Sequence, residues 1–174
     1  MKGTVHKAIE KLITQNFGTE KWEKCLVEAG FDEDHVFMLN DDVDEATTLK
    51  LVTQVIPSVC GLTVQQTLDA FGHFWINGYA SKMYAPYFEG CKSTKDLILK
   101  LDFIHKSLTE NIPNARPPRL HYEWVDTNRL AVTYLSERGL IDLFIAIAKG
   151  AGAYYNETLN ITKKSDQVLE IKFA

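Results

Sequence analysis

The sequence predicts an α+β domain in which about six to seven helices precede a small antiparallel sheet with one inserted helix. The first observation is that apolar residues recur at three- and four-residue steps through the first two thirds of the chain, as in amphipathic helices. The second is that apolar and polar residues alternate after Pro118, as in strands. Because the helical and strand patterns occupy separate parts of the sequence, the chain fits the α+β class.

Glycine and threonine mark the ends of the first four predicted helices. Gly18 ends the first helix, and Gly30 ends the second. A third helix ends before Gly61, and Thr63 caps a fourth that carries Trp75. The apolar stripe of the first helix consists of Val5, Ile9, Leu12 and Ile13. The acidic run before the third helix lacks the glycine and the terminal glutamate of a calcium loop, so we interpret it as solvated.

The later part of the chain contains one long helix, a proline-rich connector and two hairpins. Ser93 starts the long helix, and the connector spans residues 111–118. Alternating residues on both sides of the turn at 126–128 predict the first hairpin. A helix over residues 139–155 follows, and the last hairpin turns around residues 163–166.

Composition indicates one globular domain and argues against several functional classes. A chain of 174 residues can bury a sizeable core, so we expect a single domain over residues 1–174. The net charge of −4 and the pI near 5.7 argue against a nucleic-acid-binding protein. Neither a membrane-spanning apolar run nor the apolar core of a signal peptide is found, which predicts a cytoplasmic protein without membrane insertion. We interpret Cys25, Cys60 and Cys91 as reduced thiols without a zinc site.

Tyr134, Ser136 and Arg138 form the most informative pattern in the sequence. Side chains two apart on an extended segment share a face, so the phenol, the hydroxyl and the guanidinium project together. All three groups donate hydrogen bonds, and arginine grips a carboxylate through two parallel bonds. The trio therefore suits an anion with several oxygens. The alternative is an exposed strand end in which Arg138 pairs with a neighbouring aspartate or glutamate.

His105 is the second candidate, because it lies on the apolar stripe of the long helix. It follows Leu97 and Leu101 at four-residue steps and precedes Leu108. A neutral imidazole can be the single protein ligand of haem iron, and the alternative is a core histidine bonded to a backbone carbonyl. Haem needs an axial histidine in an apolar slot and a donor-rich clamp for its two propionates. His105 and the trio together meet both needs.

Four segments of the chain carry a family resemblance. They are Met1-Lys2-Gly3, Leu101 to His105, Arg116 to Leu120, and the Tyr-x-Ser-x-Arg pattern at 134–138. In these segments the chain resembles a bacterial haem–nitric oxide/oxygen binding (H-NOX) domain, related to the haem domain of soluble guanylate cyclase. The resemblance covers essentially the whole chain. It implies the H-NOX fold, with haem between a distal helical part, about residues 1–62, and a proximal part, about residues 63–174.

The resemblance implies a role for each candidate residue toward a non-covalent haem b with ferrous iron. His105 is implied as the axial ligand, and Pro118 as the proline that presses on the porphyrin and bends it. Tyr134, Ser136 and Arg138 are implied as the propionate clamp. The other residues implied at the haem pocket are Val5, Ile9, Trp75, Leu101 and Leu143. No C-x-x-C-H motif occurs, which excludes covalent attachment through that motif.

One position departs from the oxygen-binding members of the family. Those members carry a distal tyrosine nine residues after the first residue of the Tyr-x-Ser-x-Arg pattern, where this chain has Leu143. The other residues that face the gas, Ile9 and Trp75, offer only the indole N–H as a donor. Dioxygen on iron gains from a donor, whereas nitric oxide binds ferrous haem without one. The departure favours nitric oxide, although the same three residues are also compatible with plain core packing.

Three classes of function follow for the chain. The first is a haem-based sensor of nitric oxide, with carbon monoxide as a further ligand, that is not an enzyme and signals to a separate protein. The resemblance implies a histidine kinase or a cyclic-di-GMP enzyme as that partner. The second is a haem enzyme such as a nitric oxide dioxygenase, which the lack of acid–base groups in the implied pocket disfavours. The third is a haem-free interaction module or carrier, which a missing Soret band would identify.

Overall fold

The computed structural model of the protein describes residues 1–173, and in that range it contains seven continuous helices and four strands. The helices are α1 (Gly3–Phe17), α2 (Thr19–Ala29), α3 (Glu45–Cys60), α4 (Val64–Met83), α5 (Ala85–Phe88), α6 (Thr94–Asn111) and α7 (Ile141–Tyr154). The strands are β1 (Arg119–Trp124), β2 (Arg129–Leu135), β3 (Asn160–Lys163) and β4 (Val168–Lys172). The predicted α+β class and the order of the elements are confirmed.

Local side-chain chemistry fixes the ends of the helices that border the site. Thr63 and Gln66 form a capping box at the start of α4, where Oγ1 of Thr63 accepts from the Gln66 N–H at 3.1 Å. The Ser93 hydroxyl accepts from the Asp96 N–H at 3.2 Å and caps α6. Gly61 ends α3 in the left-handed region at a φ of 70°, which a residue without Cβ adopts readily. These three boundaries agree with the sequence prediction.

Two helices contain a π-helical segment that the sequence periodicity did not predict. The segment in α3 is Leu51–Val55, and the segment in α4 is Trp75–Ala80. A π segment closes hydrogen bonds between residues five apart, so the residues at its two ends share a face. Trp75 and Ala80 accordingly both line the central cavity. A search at 3.6 residues per turn fails here because the segment holds more residues per turn.

Two large apolar clusters build the interior, together with a small third cluster of Ile76, Leu97, Ile104 and Ala151. The first joins α1, α2, α3 and the first part of α4, and it encloses the fully buried Phe37 from the loop after α2. The second lies between the sheet, α6 and α7. Leu143 of α7 packs against both clusters. α7 therefore connects the helical part of the molecule to the part that contains the sheet.

The sheet has the strand order β1–β2–β4–β3, and its pairings are antiparallel. β1 pairs with β2 in a register that places Leu120 opposite Tyr134. The buried residues of β2 alternate along the strand; they are Leu130, Val132 and Tyr134. This face of the sheet packs against α6 and α7. β1 and β3 are the edge strands, and the Tyr122 hydroxyl ties β1 to α6 by donating to the Ile98 carbonyl at 2.6 Å.

Helices α4 and α7 are in backbone contact at two glycines. A Cβ placed on Gly72 would lie 2.2 Å from the carbonyl oxygen of Ala146, and one placed on Gly150 would lie 2.2 Å from the carbonyl oxygen of Gly72. Neither distance leaves room for a side chain. The amide of Asn77 also donates to the Gly150 carbonyl at 3.1 Å. Since both helices line the cavity, this contact sets the separation of two of its walls.

Within residues 1–173, no single helix combines the length and the apolar composition of a membrane span. Helices α3 and α4 reach the length and apolar composition of a span only when taken together, and they are bent by 107° at the break between them. In the same range, no group of three or more histidine, cysteine, aspartate or glutamate side chains is arranged to hold a metal ion.

Candidate functional site

A cavity of about 670 Å³ lies between the two apolar clusters. Its volume falls within the roughly 300–1,000 Å³ typical of cofactor and small-molecule sites. Helices α1, α4, α6 and α7 supply apolar walls. The charged and amide side chains that line it mark its mouth; they are Lys2, Asn40, Asp42, Asp44, Glu45, Asn114, Arg116 and Arg138. The cavity therefore suits a ligand with an apolar body and charged groups at one edge.

His105 of α6 lines the cavity with a half-buried ring. Its Nδ1 donates a hydrogen bond of 2.7 Å to the carbonyl oxygen of Pro118. Because a carbonyl can only accept, the ring carries its proton on Nδ1 and keeps a lone pair on Nε2. Burial lowers the pKa of His105, which favours the neutral imidazole that binds metals. The carbonyl bond that we considered as the alternative for this residue is present, and it leaves Nε2 available as a ligand.

Asp102 fixes β1 against the helix that carries His105. Its carboxylate accepts from Nε and Nη2 of Arg119 at 2.8 and 2.6 Å, and from the Leu120 N–H at 2.8 Å. The Arg119 side chain is the main reason that the pKa of Asp102 falls to about 2. Arg119 directly follows Pro118 in the chain. The same bonds therefore restrict the carbonyl that orients His105.

Arg138 lies at the cavity mouth, with its side chain 15% exposed. Its Nη1 donates to the Arg116 carbonyl at 2.7 Å, and its Nε forms an ion pair with Glu45 at the start of α3. The pairing with an acidic neighbour that we considered as the alternative for this residue therefore exists. A carboxylate already on this guanidinium shows the chemistry that the position accepts. The carboxylate of a bound ligand would compete with Glu45 for it.

Tyr134 and Ser136 differ in their relation to the cavity. Tyr134 lines it, is 2% exposed, and packs on Phe144 with the ring centroids 5.7 Å apart. Burial raises the pKa of the Tyr134 phenol, which therefore keeps its proton as a donor at neutral pH. Ser136 does not line the cavity; its hydroxyl accepts from the Arg138 N–H at 3.3 Å. The structure thus brings Tyr134 and Arg138 to the cavity, while Ser136 shapes the turn that holds Arg138.

Most of the apolar residues implied for the pocket reach the cavity. Those that line it are Val5, Trp75, Leu101 and Leu143, together with Pro118 of the connector. Ile9 does not line it, contrary to the sequence prediction. It lies one turn beyond Val5 on α1, is 2% exposed, and belongs to the first apolar cluster. The side chain of Ile9 therefore lies in the packed core, one helical turn from the cavity-lining Val5.

Sequence reasoning missed two phenols that line the cavity. Tyr84 and Tyr87 follow the π segment of α4. The Tyr87 hydroxyl is bonded to Oγ of Ser107 on α6 at 2.8 Å. The Tyr84 phenol lies beside the Thr4 hydroxyl of α1, and burial raises its pKa. The aromatic composition of this stretch was an available signal, but its spacing did not show which rings turn inward.

A protein-family model described as haem-NO-binding matches residues 2–163. The match covers nearly the whole chain. The chain belongs to the haem-NO-binding (H-NOX) family. It is accordingly a haem-binding gas-sensor domain of the H-NOX type.

Solved structures share the fold of this H-NOX domain. A Cs H-NOX mutant that carries 4-cyano-L-phenylalanine superposes with a TM-score of 0.84 at 24% identity, covering 99% of this chain and 96% of that chain. A mutant of T. tengcongensis H-NOX superposes with a TM-score of 0.82 at 25% identity, covering 99% of this chain and 97% of that chain.

A curated relative is much longer than this chain. Soluble guanylate cyclase gcy-37 of Caenorhabditis elegans is 32% identical over 76 residues. The matched segment is 44% of this chain and 11% of the cyclase. The chain thus matches about a tenth of the length of that relative.

The residues of this H-NOX domain fit haem by their own chemistry. The cavity has apolar walls, which suit a porphyrin face. A neutral imidazole lines it with Nε2 unbonded, which suits iron. A guanidinium at its mouth already binds a carboxylate, which suits a propionate.

Proposed function

We propose that the chain is a non-enzymatic sensor of nitric oxide that holds a non-covalent haem b with ferrous iron in the central cavity. The observation that carries the proposal is the hydrogen bond from His105 Nδ1 to the Pro118 carbonyl, because it fixes the tautomer whose Nε2 can bind iron. When bound, haem supplies the iron at which a diatomic gas binds. His105 of α6 would hold that iron through Nε2.

The charged mouth of the cavity supports the placement of the propionates. Arg138 contributes a half-buried cation, and Tyr134 contributes a phenol that stays protonated. Ser136 holds the backbone of Arg138 in this proposal rather than contacting the ligand directly. Glu45, the present partner of Arg138, would exchange its place with a propionate. Charge-assisted bonds of this kind are stronger than neutral ones, so we assign most of the clamp to Arg138.

Pro118 has two functions in the proposal. Its carbonyl orients the imidazole of His105, and its ring lines the cavity where a porphyrin would lie. Proline fixes its own φ, so the ring is a rigid contact that cannot relax by local rotation. A displacement of His105 would therefore move the connector that carries Pro118. This linkage is the reason that we propose Pro118 as the residue that bends the porphyrin.

The distal wall supports selectivity for nitric oxide over dioxygen. Val5 and Leu143 offer no hydrogen-bond donor, and Trp75 offers only its indole N–H. Tyr84 lines the cavity with its ring centroid 6.5 Å from that of Trp75, but its hydroxyl lies beside that of Thr4. A ligand that depends on a donor is disfavoured in such a wall, whereas nitric oxide does not need one. Carbon monoxide is expected to bind for the same reason.

The output of the sensor is proposed to act on a separate protein. The haem-NO-binding model matches residues 2–163, and the segment shared with soluble guanylate cyclase gcy-37 is about a tenth of that cyclase. We propose a histidine kinase or a cyclic-di-GMP enzyme as the partner. The distal part, about residues 1–62, would move against the proximal part, about residues 63–174, to deliver the signal.

An absorption spectrum of the reduced protein tests the proposal. We expect a Soret band after purification, a shift of that band with nitric oxide under anaerobic conditions, and no oxygen complex in air. A colourless protein that does not take up added haem would contradict the proposed cofactor. A stable oxygen complex in air would contradict the selectivity while leaving the cofactor in place.

A further inference from the structure

The connector between α6 and β1 crosses the mouth of the cavity and is fixed at three points. Two of its carbonyls, at positions 116 and 118, accept from side chains of the sheet-containing part. The third point is different, because Nδ2 of Asn114 donates to Oδ2 of Asp42 at 3.0 Å. Asp42 lies 72 residues earlier, in the loop before α3. This bond therefore joins the connector to the helical part of the molecule.

The side chain and the backbone of Asp42 are both restrained by contacts with the start of the chain. Its Oδ1 pairs with Nζ of Lys2 at 2.7 Å, and the Lys2 side chain is only 16% exposed. The backbone around Asp42 pairs with the start of the chain in a short antiparallel bridge. In that bridge, the Gly3 N–H donates to the Asp41 carbonyl at 2.9 Å. The carboxylate of Asp42 is thus tied to the base of α1 and shared between Lys2 and Asn114.

Asn114 is suited to the position by its backbone as well as by its amide. Its φ is 59°, in the left-handed region that asparagine tolerates better than most residues. The turn is closed by the Ala115 N–H, which donates to the Ile112 carbonyl at 3.1 Å. The turn aims the side chain of Asn114 away from the connector and toward Asp42. Three residues on from Ala115, the chain reaches Pro118 and the carbonyl that orients His105.

We infer that Asp42 and Asn114 are positioning residues, whose hydrogen bond latches the connector across the cavity mouth and so holds Pro118 and His105 in place. The bond is exposed to solvent, so it contributes little to global stability and opens readily. Its effect is local, because it restrains a seven-residue segment that has no helix or strand of its own. The expected effect of this bond on haem binding rests on the proposed function, whereas the bond between Asp42 and Asn114 does not.

A reciprocal exchange of the two side chains tests the latch. Asn114→Asp keeps the size and the left-handed backbone but places two carboxylates face to face, which breaks the bond. Adding Asp42→Asn to this variant restores one amide and one carboxylate, with the direction of donation reversed. The matched control is Asp126→Asn, an exposed aspartate in the β1–β2 turn.

The first measurement is backbone hydrogen exchange in the full-length protein. We expect Asn114→Asp to raise exchange about tenfold at the hydrogen-bonded amides of Ile112 and Ala115, and the double variant to return it to near the original value. The second measurement is haem transfer to apomyoglobin, which we expect to become about threefold to fivefold faster in Asn114→Asp and to be restored in the double variant. The third is the iron–histidine stretching frequency, which should shift in Asn114→Asp and return in the double variant if the His105 ring is repositioned.

The outcomes separate the inference from the proposed function. Unchanged exchange in Asn114→Asp, or no recovery in the double variant, would overturn the latch. Raised exchange with an unchanged haem transfer rate and stretching frequency would overturn the positioning role. If the original protein takes up no haem, the proposed function fails, but the exchange measurement still decides whether the latch exists.

Discussion

The two sides of the cavity are held by different interactions. On the α6 side, directional bonds fix the groups: His105 bonds to the Pro118 carbonyl, and Asp102 bonds to Arg119. On the opposite side, Val5 and Leu143 are fixed only by packing within apolar clusters. Hydrogen bonds constrain the angle of a group, whereas packing constrains the volume around it. The comparison teaches that the α6 side is specified by the orientation of its polar groups, and the opposite side by the volume that its apolar side chains leave.

Removal of the imidazole from the α6 side should have the largest effect. We expect His105→Ala to lose most of its bound haem, because in the described structure no other histidine lines the cavity. Imidazole in the buffer should restore part of the binding by filling the space left. Haem content per protein, measured by absorption, checks the result. His121→Ala, on an exposed face of β1, is the matched control, and an unchanged ferrous spectrum in His105→Ala would remove His105 as the ligand.

Substitutions at the charged mouth of the cavity should have the second largest effect on haem binding. Arg138→Ala should accelerate haem loss about tenfold to a hundredfold, since a charge-assisted hydrogen bond contributes on the order of 1.5–3 kcal/mol. Tyr134→Phe should have a smaller effect, because it removes a neutral donor. Haem transfer to apomyoglobin measures both rates. Arg129→Ala, which breaks an exposed ion pair with Asp126, should leave the rate unchanged, and an equal rate in Arg138→Ala would refute the clamp.

A hydrogen-bond donor added to the apolar wall should give that wall a directional bond of the kind found on the α6 side. We expect Leu143→Tyr to gain a measurable affinity for dioxygen, because the phenol would supply the donor that the wall lacks. Binding of nitric oxide should change less, since it does not depend on that donor. Oxygen titration of the reduced variant checks the prediction. Tyr84→Phe is the companion variant: any oxygen affinity of the unmodified protein that it abolishes would assign the donor to Tyr84 instead.

The smallest effect concerns the directional bonds behind His105. Asp102→Asn should lower stability modestly at pH 7, because it weakens the pairing with the half-exposed Arg119. The pKa of Asp102 is depressed to about 2, so its contribution is present above the ordinary aspartate pKa of about 3.9 and is lost as the pH falls toward 2. Urea unfolding of both proteins should therefore converge between about pH 4 and pH 2. A difference that is constant over this range would exclude ionised Asp102 as the cause.

The residues that a local pattern marks were predictable, and those placed by long-range packing were not. The stripe of α6 identified His105, and the two-residue spacing identified Tyr134 and Arg138 at the cavity. The partner of the imidazole, the Pro118 carbonyl, is a backbone group that no side-chain pattern reveals.

Two other features were hidden for different reasons. The π segment Trp75–Ala80 rotates the residues that follow it, so the α-helical period does not predict that Tyr84, just after the end of α4, lines the cavity. The pairing of Asp42 with Asn114 joins two loops that are far apart in the sequence. Its geometry depends on the whole fold.

The edges of the sheet have a consequence for how the domain behaves in concentrated solution. An open edge strand is a template to which a strand of another molecule can add. At one edge the Leu120 N–H of β1 donates to Asp102 of α6 at 2.8 Å, and at the other edge β3 is only four residues long. Lys163 at its end is held by Asp142 at 3.0 Å and Asp166 at 3.2 Å, which places charge beside the free backbone groups. Each edge therefore carries a feature that disfavours edge-to-edge pairing: a bonded amide on β1, and short length with charge on β3.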